Sequence, residues 1–276
     1  MHPYNGHGPF EQKFLTGDCY RTHAHRPGIL DVLLPSFSFY SRLLAGPLRW
    51  LCNRAAKGLC DDVAWVYASV WVADILERMG TTIAIEGMNA INAMDGPCVF
   101  VANHMSTLET FMLPGIIRPR KKITFVVKKS LTTMPFFGPV MRSRDPIVVG
   151  RSNPREDLTA VLEGGLERLG ENISIIVFPQ HTRSRTFDPQ LFNTIGVKLA
   201  KKAAVPLVPL ALKTDAWGQG KKIKELGPIK TNLTVHYRFG QPLRVQGPGK
   251  VEHNAVCQFI TTCLDQWKAF DCTCSI

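Results

Sequence analysis

The sequence lacks the motifs of several common enzyme and binding classes. No Gly-x-Ser-x-Gly pentapeptide is present, which argues against a serine lipase, and no glycine-rich phosphate loop supports a nucleotide hydrolase. No internal repeat is visible in the 276 residues. A formal net charge of +11 suits a partner that carries phosphate, such as nucleic acid, an anionic bilayer or a phosphorylated metabolite. Because no recognised nucleic-acid motif accompanies that charge, we do not expect nucleic acid to be the partner.

Cysteine is present without the spacing of a disulfide-stapled or metal-binding domain. The 8 cysteines stand at irregular positions, which favours a reducing, cytosolic setting. Cys272 and Cys274 have no CxxC pair or histidine cluster near them, so we interpret them as part of a frayed tail. His23 and His25 are interpreted as surface histidines within an irregular arm over residues 1–28. No metal site is expected.

A signal peptide and an apolar run of membrane-spanning length are also missing. Residues 1–10 do not show the basic-then-apolar order of a signal peptide, so export is not expected. The run from Val63 to Leu76 is rich in aromatic side chains but contains Asp74. It is also shorter than the roughly 20 apolar residues that a spanning helix needs. Contact with a membrane, if any, is therefore expected at its surface.

Residues 37–57 have the pattern of a basic amphipathic helix, with apolar side chains at helical spacing and polar or basic ones opposite. The apolar set is Phe37, Tyr40, Leu44, Leu48 and Leu51, and the opposite set is Arg42, Arg49, Asn53 and Lys57. Gly46-Pro47 should kink this helix, because proline removes a helical donor and clashes with the preceding turn. With residues 63–76, the helix predicts a hairpin in the membrane interface, within an N-terminal unit of residues 1–79. The alternative is a pair of core helices in a soluble protein.

Beyond Gly80, short β-rich runs alternate with longer segments. The predicted strands are Thr82–Glu86, Cys98–Ala102, Ile123–Val127, Ile147–Val149, Ile173–Phe178, Val205–Leu212 and Leu233–Phe239. The clearest helices between them are Asp157–Leu169 and Phe192–Ala203. Alternation of this kind predicts an α/β domain over residues 80–276, with a buried mixed sheet flanked by helices.

One segment, Val101-Ala-Asn-His-Met-Ser-Thr-Leu-Glu109, places a histidine and a carboxylate where a predicted strand ends. His104 and Glu109 can meet only if His104 lies on the turn before the next helix, because five residues along a helix separate side chains by about 140°. A neutral imidazole is a suitable base for attack on a thioester at neutral pH, and Glu109 would orient the ring. Alternatively, Ser106 and Glu109 form a capping box, in which Glu109 only closes the first turn of the helix.

Four ordered blocks resemble the 1-acylglycerol-3-phosphate acyltransferases and related glycerolipid acyltransferases. Asn103-His104 with Glu109 resembles their first motif, Asn-His-x-x-x-x-Asp, with glutamate for aspartate. Val126–Leu131 and Met134–Gly138 are similar to the segment before the second motif, whose arginine falls at Arg151. Phe178–Ser184 resembles the third motif, Phe-Pro-Glu-Gly-Thr-Arg-Ser, and Val205–Leu210 resembles the fourth.

The resemblance implies transfer of an acyl group from a thioester to the hydroxyl of a lysophospholipid such as 1-acylglycerol 3-phosphate. His104 would be the general base and Glu109 its orienting partner. Cationic side chains would bind the acceptor phosphate, since arginine engages phosphate bidentately and lysine as a point charge. The implied binding residues are Lys128, Lys129, Arg151, Gln180, Thr182 and Arg183. The donor would be acyl-CoA or acyl carrier protein with no further cofactor, and the enzyme would work on an anionic membrane, peripheral or monotopic, at the cytoplasmic face.

Two departures from the family pattern bear on the acceptor. Gln180 and His181 stand where the third motif has Glu and Gly, which replaces a carboxylate by a neutral amide and a small residue by a bulky one. Glu109 in place of aspartate resembles the late acyltransferases of lipid A assembly. The alternatives are therefore an acyltransferase of another lipid, with a lipid A-like or lyso-aminolipid acceptor, or an inactive membrane-binding homologue.

Overall fold

The computed structural model describes residues 13–14, 17–23, 25–135, 137–180 and 182–273. Most of the predicted N-terminal arm, His181 and Cys274 therefore lie outside the described residues. Within those ranges, no group of three or more His, Cys, Asp or Glu side chains is arranged to hold a metal ion.

In the described chain, eight strands form one mixed sheet. They are β1 (Tyr20–Arg21), β2 (Ile83–Glu86), β3 (Val99–Ala102), β4 (Ile123–Lys128), β5 (Ile147–Val149), β6 (Ser174–Val177), β7 (Leu207–Lys213) and β8 (Val235–Phe239). Their order across the sheet is β1-β2-β8-β7-β3-β6-β4-β5. The run from β7 to β5 is parallel, while β8 is antiparallel to β7 and β1 is antiparallel to β2. The predicted fold class and all seven predicted strands are confirmed.

Helices cover both faces of this sheet. They are α1 (Ile29–Leu33), α2 (Pro35–Leu43), a π-helical turn (Leu44–Leu48), α3 (Arg49–Ala56), α4 (Asp62–Arg78), α5 (Asn89–Asn92), α6 (Leu108–Ile117), α7 (Lys129–Thr132), α8 (Phe137–Arg142), α9 (Pro154–Gly170), a short 3₁₀ turn (Pro189–Leu191), α10 (Ile195–Ala203) and α11 (Lys250–Thr273). Alternate residues of a strand point to opposite faces. Phe100 and Ala102 of β3 accordingly lie in the core that contains α4 and α6, while Val99 and Val101 lie in the core that contains α10 and α11.

The kink predicted at Gly46-Pro47 is present, since Gly46 has non-helical backbone angles of φ −102° and ψ −111°. The structure differs from the prediction for residues 63–76, because α4 packs along α6 inside the protein and buries Trp65 and Tyr67. The backbone N–H of Gly115 donates to Ser69 Oγ at 2.8 Å. A side chain at Gly115 would collide with that serine, so the close approach of the two helices requires glycine there. Hydrophobic periodicity identified these helices correctly. It does not show whether the apolar side of a helix packs against protein or against lipid.

The exposed apolar surface of the N-terminal region lies earlier in the chain, on α1, α2 and the π-helical turn. Its members are Ile29, Leu30, Val32, Leu33, Leu34, Phe37 and Leu44. We call these seven residues the apolar surface. No helix in the described residues has the length and apolar character to cross a bilayer.

Candidate active site

The candidate site lies at the carboxyl ends of the parallel strands, where β3 gives way to the turn before α6. Asn103 fixes this turn, because its buried side chain donates to the carbonyl of Leu212 and accepts from the N–H of the same residue, both at 2.8 Å. The two bonds tie the end of β3 to the end of β7. His104 therefore leaves the sheet at a defined position.

His104 and Glu109 are in contact, as predicted from their spacing. Nδ1 of His104 is hydrogen-bonded to Oε2 of Glu109, whose side chain is 0% exposed. The other carboxylate oxygen, Oε1, accepts from the N–H groups of Met105 and Ser106 at 2.7 and 2.8 Å and from the Thr214 hydroxyl at 2.6 Å. Glu109 closes the first turn of the helix and contacts the imidazole at the same time, so the capping interpretation and the dyad geometry are compatible.

This environment fixes how the imidazole is presented. A carboxylate that is buried must have hydrogen-bond donors around it, and Glu109 has four. An ionised Glu109 accepts the proton on Nδ1, which leaves Nε2 of His104 as the basic nitrogen. The ring stacks on Phe178, with centroids 4.3 Å apart and planes 19° apart, so its orientation is held from one face as well.

The negative charge of Glu109 also affects the pKa of a tyrosine deeper in the core. Tyr237 lies in β8, opposite Leu212 of β7. Burial and, secondarily, the negative charge of Glu109 raise the pKa of the Tyr237 phenol well above its ordinary value. This hydroxyl is therefore neutral at neutral pH.

Gln180 is buried and points inward, toward the turn that carries His104. Its side-chain oxygen accepts from the His104 N–H at 2.6 Å, and the His104 carbonyl accepts from the N–H of Ser184 at 2.9 Å. The loop after β6 is thus fastened to the loop after β3 on both sides of the histidine. An amide holds the turn here without adding a second buried carboxylate beside Glu109.

Arg183 reaches the same region from the loop after β6. Its guanidinium donates to the Thr107 hydroxyl and forms an ion pair of 2.5 Å with Glu225. Partial burial is the largest single influence on Glu225 and opposes its ionisation. Hydrogen bonds from Arg183 and from the backbone of Glu225 itself, together with the positive charges of Arg183 and Lys224, outweigh it and lower the pKa of this carboxyl below its ordinary value. A cleft of about 380 Å³ opens beside this pair. Its lining is Arg183, Ser184, Arg185, Thr186, Gly218, Gln219, Pro228 and Lys230.

The remaining predicted residues lie along the same edge of the sheet but do not contact the dyad. Lys128 ends β4 and Lys129 begins α7, two strands from β3, and both are exposed. Arg151 follows β5, three strands from β3, which corresponds to about 14 Å at the usual strand spacing. It has a positive φ of 61°, and its N–H donates to the Asp157 carboxylate. Thr182 is exposed beside Arg183.

Comparison with known proteins finds a family to which the part of the chain around this site is similar. A family model described as Acyltransferase matches residues 82–213. That range contains His104, Glu109 and Arg183. We call residues 82–213 the acyltransferase domain, after the family model that they match.

Several relatives of this chain are named 1-acyl-sn-glycerol-3-phosphate acyltransferase. The 1-acyl-sn-glycerol-3-phosphate acyltransferase of Pseudomonas aeruginosa is 28% identical over 185 residues, which are 67% of this chain and 67% of that protein. The enzyme of the same name from Saccharomyces cerevisiae is 31% identical over 64% of this chain and 61% of its own length. For the coconut enzyme the match is 27% identical and spans 56% of the relative, so the chain matches little more than half of some relatives.

A solved structure has the same fold. The crystal structure of the 1-acyl-sn-glycerophosphate acyltransferase PlsC from Thermotoga maritima aligns with 86% of this chain and 96% of its own, with a TM-score of 0.63 and 19% identity. At this coverage, the alignment extends well beyond residues 82–213. The resemblance expected from the sequence motifs is confirmed.

Two residues of the acyltransferase domain's site were missed at the level of sequence. Thr214, a donor to Glu109, follows β7 directly, and the parallel pairing of β3 and β7 puts both strand ends at one edge. A search of the residues that follow each predicted strand would have found it. Glu225, the partner of Arg183, lies in a loop without a recognisable motif, and no sequence signal indicates it.

Proposed function

We propose that this chain is an O-acyltransferase that transfers a fatty acyl group from a thioester to the free hydroxyl of a lysophospholipid such as 1-acylglycerol 3-phosphate. The observation that carries this proposal is the contact of His104 with Glu109 inside an acyltransferase domain. The contact leaves Nε2 of the imidazole available as a base beside a partly open site. An inactive homologue is not favoured, because the dyad geometry is intact.

In the proposed reaction, Nε2 of His104 takes the proton from the acceptor hydroxyl as its oxygen attacks the thioester carbonyl. The resulting imidazolium is stabilised by the adjacent Glu109 carboxylate. When the tetrahedral intermediate collapses, the carbon–sulfur bond breaks and the departing thiolate takes the proton from the imidazolium. The products are the acylated acceptor and a free thiol, with no acyl-enzyme. Acyl-CoA and acyl carrier protein both fit this chemistry as donors.

We further propose that cations along the same sheet edge bind the acceptor phosphate. Arg183 is the nearest, since it is bonded to Thr107 within the turn between His104 and Glu109. Lys128, Lys129 and Arg151 extend the positive charge away from the dyad. Thr182 supplies an exposed hydroxyl in the loop of Arg183, and Gln180 holds that loop against His104.

Docking to the cytoplasmic face of an anionic membrane, as a peripheral or monotopic protein, is part of the proposal. The apolar surface on α1 and α2 supports it, because Ile29 and Leu33 are 81% and 71% exposed although both are strongly hydrophobic. Arg49 is exposed on the following helix and could contact lipid phosphates. Arg42, in contrast, pairs with the buried Asp31 at 2.8 Å and is engaged within the protein.

The proposal is tested by following thiol release from acyl-CoA and from acyl carrier protein. Each donor is supplied alone and with a panel of lysolipids that differ in head group, and with glycerol 3-phosphate. We expect release only when an acceptor is present, fastest with a lysolipid that bears a phosphate monoester, together with the acylated lipid by mass spectrometry. Release that does not depend on any acceptor would indicate a thioesterase. Absence of release with every pair would contradict the proposal.

A further inference from the structure

The loop over residues 214–234 is fastened to the N-terminal helices beside the candidate site. Tyr40 of α2 donates to the carbonyl of Gly227 at 2.6 Å, and burial raises the pKa of Tyr40 to about 12, so that its hydroxyl remains a donor. The Trp217 indole donates to the carbonyl of Glu225 at 2.9 Å, and Ser36 accepts from the N–H of Ile229 at 3.0 Å. These bonds hold the backbone on either side of Glu225, while its side chain projects toward Arg183.

The Glu225 side chain is less firmly held than its backbone. The carboxylate is 43% exposed, whereas the Arg183 side chain that it contacts is 15% exposed. Its ion-pair partner is the guanidinium of Arg183. A partly exposed ion pair of this kind contributes little free energy, because water and salt screen it. Rotation of one side chain would release the guanidinium without moving the loop.

The cleft beside this pair has more positive than negative charge. Arg185 and Lys230 line it together with Arg183. Among the described residues, the side chains of Arg185 and Lys230 make no hydrogen bond or ion pair. Glu225 is the carboxylate that pairs with Arg183, the third cation of this group. Hydroxyls of Ser184 and Thr186 line the same cleft and can donate to an anion.

We propose that Arg183, Arg185 and Lys230 form a phosphate-binding site in which Glu225 is an internal occupant that a substrate phosphate displaces. The inference rests on the proposed function and deepens it, because it identifies how that substrate is selected. A phosphate group carries more charge than a carboxylate and offers three acceptor oxygens, so it engages arginine more strongly. An acceptor without phosphate cannot displace Glu225 as readily, and the carboxylate thereby favours phosphorylated ligands over neutral ones.

Two substrates could supply this phosphate. The proposed function makes it the head group of the acceptor, while the diphosphate of a nucleotide thioester has the same chemistry. Kinetics separate the two sources, because Glu225→Gln should lower the KM of the substrate that binds here and leave the KM of the other unchanged. A lower acceptor KM would assign the cleft to the acceptor, and a lower donor KM would assign it to the donor.

The direct test measures binding of inorganic phosphate to the full chain by titration calorimetry, without any acyl transfer. Glu225→Gln removes the competing charge but keeps the size of the side chain, and we expect the Kd for phosphate to fall about three- to tenfold. Glu163→Gln is the matched control, since Glu163 is exposed on α9 and removing it changes the net charge equally. Its Kd should stay within about twofold of the unsubstituted chain, because salt screens distant charges.

A second variant tests the cations of the cleft. Arg185→Gln combined with Lys230→Gln should raise the Kd for phosphate about tenfold, because two of the three cations are lost. If Glu225→Gln and Glu163→Gln change the Kd equally, or if the double variant binds phosphate as tightly as the unsubstituted chain, the inference is wrong. If phosphate binding responds as expected while no acyl transfer is found with any donor, the phosphate site stands and the proposed function fails.

Discussion

The two carboxylates of the site are held in different ways. Glu109 is buried and accepts hydrogen bonds from three other residues as well as His104, whereas Glu225 is partly exposed and pairs with Arg183. Removing a buried, fully bonded charge would leave its donors unsatisfied, but an exposed ion pair can be exchanged at little cost. A contact that must persist through a reaction is expected to be buried and fully hydrogen-bonded, as at Glu109. A contact that a ligand replaces is expected to be a partly exposed ion pair, as at Glu225.

The largest loss of activity and stability is expected on substitution of Glu109. Glu109→Gln places an amide NH₂ among groups that donate, so we expect kcat to fall about 10²-fold or more and the free energy of unfolding to fall by about 1–3 kcal/mol. Glu109→Asp keeps the charge and should retain measurable turnover. Steady-state kinetics and thermal unfolding of the two variants give both quantities. Loss of stability with unchanged turnover would mean that Glu109 only caps the helix.

A smaller effect is expected on substitution of Arg183, the ion-pair partner of Glu225. Arg183→Lys keeps the positive charge but loses bidentate contact with phosphate, so the KM of the phosphorylated substrate should rise about tenfold with little change in kcat. Arg155→Lys is a suitable control, because Arg155 is exposed on α9, away from the cleft. Equal increases in the KM values of donor and acceptor would argue against a role for Arg183 in binding one substrate.

The membrane-docking proposal predicts a reduction in vesicle binding without loss of folding. Leu33→Asp with Arg49→Glu should lower sedimentation with anionic liposomes severalfold, since apolar burial and charge attraction both contribute to interfacial binding. Val251→Asp is the control, because Val251 is 79% exposed on α11. Normal binding by the Leu33→Asp, Arg49→Glu variant would be evidence that lipid contacts another surface. Arg42 is left unchanged, because a glutamate there would face the buried Asp31.

The smallest effect is expected at Thr214, which is one of the donors around Glu109. Thr214→Val removes its hydroxyl at nearly constant volume, and we expect a decrease in kcat of about tenfold or less, with about 1 kcal/mol lost from the free energy of unfolding. Thr214→Ser restores the donor and should restore most of the rate. If the serine variant is no faster than the valine variant, the methyl group rather than the hydrogen bond is what matters at this position.

The sheet was predictable because its central strands are short, apolar, β-rich runs between turns, as in Val99–Ala102. Strand β1 was not, since its two residues, Tyr20 and Arg21, are too few to form a pattern and pair only through β2. The contact of His104 with Glu109 was predictable because both residues lie on one local strand–turn–helix segment. Periodicity also located α4, but it does not distinguish a helix that packs on α6 from one that packs on lipid.

The rest of the site depends on contacts between residues far apart in the chain. Thr214 is 105 residues from Glu109, and Glu225 is 42 residues from Arg183. Such pairs are brought together by the order of the strands and the path of the loop over residues 214–234, neither of which follows from local sequence. The motifs therefore identified His104, Glu109 and Arg183, and the structure was needed to find the residues that contact them.

The central claim is that Nε2 of His104 removes the proton from the acceptor hydroxyl. It is tested most directly by the rate of lysolipid-dependent thiol release from acyl-CoA in His104→Ala, measured beside His25→Ala, which changes an exposed histidine outside the site. Loss of a general base predicts a rate about 10²- to 10⁴-fold lower in His104→Ala, with an unchanged unfolding temperature and with His25→Ala as active as the unsubstituted protein. A His104→Ala rate within about threefold of the unsubstituted protein, far short of that loss, would contradict the account.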